Sequence, residues 1–243
     1  MTLHLEDVAH SIGREVYDEY GRIIGVLTSF SSNVEGEIEY IEVKIADLTL
    51  KRIDGGRVKV RDGKLVAVPE WKHKATRIIA ALDRAYRRRK ALEGISAGDI
   101  PAEVVESLKR KLDEQIKRLK IQADESKREI RERINAISDE SLHVESAIAL
   151  LQMTYFSGEV REEQYTQGMN NLRKLKRALT AEKEDAKKVL DKLEKTIEAA
   201  SSVKHQPHTE HPVPAQHTPA KPATGHVGAP KKDDTLLVKV VEE

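Results

Sequence analysis

Eight basic residues stand close together between positions 72 and 92 with only Asp83 against them. They are Lys72, Lys74, Arg77, Arg84, Arg87, Arg88, Arg89 and Lys90, and helical spacing puts Arg77, Arg84 and Arg88 on one face. Such a surface suits a phosphate polymer or anionic lipid headgroups, which are held by charge rather than by sequence. The alternative is a solvated helix face whose cations pair with acidic residues elsewhere in the chain. Residues 1–71 could supply such acids, having nine Lys/Arg against thirteen Asp/Glu. The histidines at 205, 208 and 211, with His217 and His226, have a spacing that invites a metal reading. Prolines between them prevent a preformed helix and no Cys or carboxylate cluster completes a ligand set, so a linker is expected and no metal. The turn glycines Gly21, Gly25, Gly55 and Gly56 lack the Lys-Ser/Thr of a phosphate loop. No nucleophile–base arrangement stands out, so neither an enzyme nor a cofactor is expected.

The third feature is the end of the chain, DDTLLVKVVEE. As a strand it would place Leu236, Val238 and Val240 on one face and Leu237, Lys239 and Val241 on the other. A strand on a tether has unpaired N–H and C=O groups, and its physical use is to add itself to the sheet edge of another protein. It could instead fold back on the chain's own N-terminal strands.

These features need elements to hold them. A 34% charged content with 4% aromatics argues against one large core and for long helices with narrow apolar seams. No Cys is present, which removes disulfides and thiolate chemistry. Early acidic residues and no apolar run near the N-terminus argue against a secretory signal, and no run approaches the ~20 residues of a membrane span. A cytoplasmic protein is expected.

The fold class read from the pattern is α+β in four parts. Residues 1–70 read as short strands: Glu15–Tyr17, Arg22–Phe30, Glu37–Ile45, Arg57–Arg61 and Lys64–Val68, with Asp-Gly turns at 54–55 and 62–63. A sheet this small is expected to close into a little barrel, which removes its edges. Residues 71–200 form the helical coiled-coil region. A first helix spans about Trp71 to Gly94, and a long helix starts near Asp99 and Pro101, with Asp99 as candidate cap. Its seam runs Val105, Leu108, Leu112, Ile116, Leu119, Ala123, Ser126, Ile130, Ile134, Ile137, Ser141, Val144, Ile148, Leu151, weakened at the two serines. The pattern breaks around Gly158, and the returning seam runs Tyr165, Met169, Leu172, Leu175, Leu179, Ala186, Val189/Leu190, Leu193, Ile197. A hairpin with Gly158 as its left-handed cap and Phe156, Val160 and Tyr165 over its tip is favoured over one kinked helix dimerising in parallel. The seams look too narrow for a globular core, so association between chains is expected. Residues 201–232 are a Pro/His-rich disordered linker, and 233–243 the strand-forming peptide.

The stretch Arg14-Glu15-Val16-Tyr17-Asp18-Glu19-Tyr20-Gly21-Arg22-Ile23-Ile24-Gly25-Val26 resembles the opening hairpin of PRC-barrel domains, and Val58–Val68 fits their closing hairpin. The order of barrel, coiled coil, Pro-rich tether and terminal strand resembles the archaeal cell-division family CdvA. That resemblance implies a polymer-forming scaffold without enzymatic activity, placed at midcell on the inner membrane face during division. It implies that Leu236, Leu237, Val238, Lys239, Val240 and Val241 bind the winged-helix domain of an ESCRT-III-like protein, CdvB. It further implies association with DNA, and with membrane jointly with the partner.

Overall fold

The computed structural model describes residues 3–46, 49–94 and 100–202. Residues 203–232 of the Pro/His-rich linker, with its histidines, and the terminal peptide Leu236–Val241 therefore lie outside the described residues, as does Asp99.

A five-residue helix α1 (Leu5–Ala9) precedes six strands: β1 (Glu15–Asp18), β2 (Ile23–Ser32), β3 (Ile38–Ala46), β4 (Thr49–Asp54), β5 (Val58–Arg61) and β6 (Lys64–Ala67). They form one sheet in the order β4-β3-β2-β1-β6-β5. All neighbours run antiparallel except β1 and β6, which are parallel with Val16 opposite Leu65. Alternation along the strands sends Val16, Leu27, Ile41, Val43, Ile53 and Leu65 into one core, to which Leu3 and Val8 add. Asp62 and Gly63 both take positive φ, 52° and 70°, as a two-residue hairpin between right-twisted strands requires.

The closed barrel expected from the sequence does not form. β4 and β5 are consecutive in the chain yet are the two outermost strands, and no ladder joins them among the described residues. Asp54-Gly55 is not a hairpin turn; it opens a 3-10 turn, Gly55–Arg57, in which the Asp54 carboxylate accepts from the Gly56 N–H at 2.8 Å. A Cβ on Gly55 would stand 2.0 Å from the Ile38 carbonyl oxygen, so only glycine lets the link pass this close to β3. Five strand gaps of ~4.8 Å would separate flat edges by about 24 Å, whereas the link from Asp54 to Val58 reaches at most about 14 Å. The sheet must therefore curl, and it stops short of closure.

Three helices follow: α2 (Glu70–Glu93), α3 (Ala102–Phe156) and α4 (Glu162–Ser202). Pro101 stands at the N-cap of α3. The hairpin is formed: Gly158 takes φ +80°, and the N–H groups of Ser157, Gly158 and Glu159 donate to carbonyls of the last turn of α3. Tyr155 stacks on Tyr165 at 4.2 Å between centroids, but Phe156 does not cover the tip. Ala75, Ile78, Ile79 and Leu82 of α2 pack with Ala123 and Ile130 of α3 and Ala186 and Leu193 of α4, making a three-helix bundle. Farther out, Ile137, Val144 and Leu179 bury against each other with only α3 and α4 present. The two seams meet inside one chain over much of their length, while Leu108 and Leu175 of those seams stay exposed. Of the weak points, Ser141 donates to the Ile137 carbonyl at 2.7 Å, while the buried Ser126 hydroxyl has no partner among the described residues. No described helix is long and apolar enough to cross a membrane.

Candidate functional site

The basic helix is α2, and its antiparallel packing on α3 sorts the eight cations into two groups. Lys72 bridges Glu19 and Asp185, at 2.7 Å from each. Lys74 pairs with Glu129 of α3 at 2.5 Å, and Arg89 with Asp113 and Glu93 at 3.1 and 3.0 Å. These three have the acidic partners that the alternative reading foresaw. Arg77, Arg84, Arg87, Arg88 and Lys90 make no ion pair with a described residue.

Arg77, Arg84 and Arg88, placed on one face by helical spacing, line a groove between α2 and α3. One stretch, about 680 Å³, is lined by His73, Arg77 and Arg84; the next, about 510 Å³, by Arg84, Arg88 and Arg118 of α3; Leu119 and Gln122 line both. Burial, and then the Arg77 charge, push the His73 imidazole below its ordinary pKa, so it is neutral where the arginines are not. Asp54, Glu70 and Glu125 also line the first stretch, which leaves the Arg84–Arg88–Arg118 end the more cationic. Arg87 and Lys90 are exposed.

A second constellation has no counterpart in the sequence reading. The turn between β1 and β2, Asp18 to Arg22, is bonded directly to α2 and α4, and through Glu182 of α4 to α3. Asp18 Oδ1 accepts from the N–H groups of Tyr20 and Arg22 at 2.9 and 2.8 Å, and Oδ2 from Arg22 Nε at 2.6 Å. Arg22 then donates to Glu182 of α4 at 2.5 Å. Glu182, 2% exposed, also takes two parallel hydrogen bonds from Arg133 of α3 at 2.8 and 2.9 Å. Tyr20 Oη donates to Asp185 at 2.8 Å beside Lys72. Burial works to raise the Glu182 carboxyl, but the Arg133 hydrogen bond and the Arg22 charge outweigh it and hold the group below the ordinary carboxylate range. Burial opposes charge on Arg22 too, yet its carboxylate partners leave the guanidinium firmly protonated. Glycine at 21, φ +82°, makes the turn.

The chemistry of this junction is docking. The same Asp18-Glu19-Tyr20-Gly21-Arg22 stretch that carries the family resemblance holds the sheet on the rod. One signal could have found it: between Leu179 and Ala186, helical spacing offers position 182 to the seam, and it holds a carboxylate where an apolar side chain belongs.

Residues 70–216 match the family model described as a CdvA-like coiled-coil domain. The chain is also 31% identical over 195 residues to a protein of Sulfolobus acidocaldarius named cell division protein A, covering 80% of this chain and 82% of that one. No solved structure matches. The matched segment takes in α2, α3 and α4 with all eight basic residues and both arms of the hairpin, and on this ground the chain belongs to the CdvA-like coiled-coil family of cell-division proteins.

Proposed function

We propose that this protein is a non-enzymatic scaffold of archaeal ESCRT-type cell division. It self-assembles, and its terminal residues Leu236–Val241 recruit an ESCRT-III-like protein by adding a strand to its winged-helix domain. The observation that carries this reading is the match to cell division protein A across most of both chains. The sequence pattern of the tail, apolar and β-branched beyond a Pro-rich tether, supports strand addition as the mode. Through that partner the scaffold works at midcell on the inner membrane face. The test is binding of the full chain to the winged-helix domain by calorimetry. Deleting Thr235–Glu243 removes binding and leaves folding intact, and Val240→Pro is nearly as damaging because it removes a ladder donor. Undiminished binding by Val240→Pro sinks strand addition.

A second reading adds a phosphate polymer in the α2–α3 groove, favoured by Arg77, Arg84, Arg88 and Arg118 standing there without ion-pair partners among the described residues. Charge reversal of Arg84 and Arg88 then flattens the salt dependence of DNA binding. An unchanged slope rejects the groove.

A further inference from the structure

Much of the inner face of α3 and α4 is buried inside one chain, and the outer face of α3 offers a further surface. On the outer face of α3, near the sheet, Arg128 and Asn135 are exposed and polar, and Arg131 at the margin reaches Glu194 of α4 at 2.8 Å. The same face changes character at Leu142. From there Leu142, Ser146, Ala149, Met153 and Phe156 recur in steps of four and three, which is a heptad seam about 21 Å long with no helix in front of it among the described residues. Leu142 is 60% exposed, Met153 59%, Phe156 80%, and Leu150 beside them 58%.

We propose that this stripe is the self-docking surface of the protein, packing antiparallel on the same stripe of a second copy. The proposal rests on the reading that the chain self-assembles. Four of the five positions are self-complementary: with a two-fold axis between Ser146 and Ala149, each Leu142 meets the other copy's Met153 and each Ser146 its Ala149, while Phe156 falls beyond the paired layers, on the level of Asp139. Small layers at the centre let the helices approach, and bulky layers close both ends. No charge falls on the stripe, and Glu145 at its margin is already paired with Lys176 of α4 at 2.8 Å. Exposed Glu159, Glu162 and Glu163 at the tip disfavour an anionic lipid surface as occupant. The apolar side chains would bury roughly 400 Å² per copy, about 800 Å² in all, less than the ~1,200 Å² of a stable isolated pair. The contact therefore works as a repeated one within an assembly.

The chain has no cysteine, so Ala149→Cys introduces a single thiol beside the proposed axis. A short bis-maleimide linker should join two full-length chains at least tenfold faster through Ala149→Cys than through Asn135→Cys, which antiparallel packing holds far from its own copy. Adding Leu142→Lys and Met153→Lys to the Ala149→Cys chain should cut that rate at least tenfold with helix content and melting unchanged, since neither side chain is buried. Equal rates at the two thiols, or no effect of the lysines, overturns the proposal. Light scattering of the unaltered chain separates the two readings: assembly without Ala149→Cys cross-linking sinks this seam alone, and a monomer throughout the micromolar range sinks both. Lysine-sensitive binding to neutral phosphatidylcholine vesicles would give the stripe to lipid and likewise overturn it.

Discussion

The sheet and the rod cohere differently inside than they do where they meet. Each interior is apolar: Leu27, Ile41 and Ile53 in the sheet, Ile130, Leu82 and Leu193 in the three-helix bundle. Their junction is held by carboxylates and guanidiniums, Asp18, Arg22, Arg133 and Glu182. Apolar burial is indifferent to direction, whereas a bidentate arginine pair fixes an angle. A scaffold that must present a sheet at one orientation on a rod gains more from the second kind of contact. A polar junction also responds to acid, and an apolar core does not.

The largest test attacks the rod interior. Ile130→Asp places a carboxylate at a fully buried position among α2, α3 and α4. It should cost about 4 kcal/mol or more, read as loss of cooperative helix melting, and the loss should persist in high salt. A melting change of only a degree or two would mean that the bundle interior is open to water.

The junction comes next. Glu182→Ala leaves Arg22 and Arg133 facing each other without their carboxylate, and breaking a buried pair this way costs about 3–5 kcal/mol. Because the sheet keeps its own core, the expected signature is faster amide exchange at Asp18–Arg22 with the helices still formed. Unchanged exchange there would place the docking energy elsewhere.

How much of this was legible is answered by the same contrast. The apolar interiors announce themselves through period: α2 was expected from Trp71 to Gly94 and runs Glu70–Glu93, and Gly158 caps α3 as its residue type suggested. Strand β4 was missed because TLKRID buries only Ile53 and so has no two-residue alternation to read. Closure was misjudged because it depends on which edges meet, a property of the whole sheet. The junction was missed because its charges come from the β1–β2 turn, α2, α3 and α4, and no local pattern brings them together. For the same reason Lys72, Lys74 and Arg89 could not be told from Arg77, Arg84 and Arg88 until α3 and α4 were in place.

Acid separates the two kinds of contact without a mutation. The folded Glu182 carboxyl titrates below its unfolded value. Its contribution is therefore fully present above the unfolded pKa, near 4.3, and is lost as pH falls through the lower folded value. Lowering pH from 5 toward 3 should release the β1–β2 turn before the helices melt, followed by fluorescence of Trp71 at the start of α2 beside the sheet. In the Glu182→Ala chain this early step should vanish. An identical acid profile in both chains would remove Glu182 as the group responsible.

The smallest effect has the opposite sign, and so divides the two environments most sharply. Ser126 is fully buried in the bundle, and its hydroxyl has no partner among the described residues. At the junction every polar deletion should destabilise, because a charged partner is left behind. At Ser126 no partner is left behind: Ser126→Ala removes an unsatisfied oxygen, raises helix propensity and opens a space smaller than a methyl group. The bundle should become more stable by about 0.5–1 kcal/mol, a rise of a few degrees in melting temperature. A loss of stability instead would mean that the hydroxyl is satisfied in solution, by water or a shifted rotamer, and that the rod interior is less purely apolar than the contrast requires.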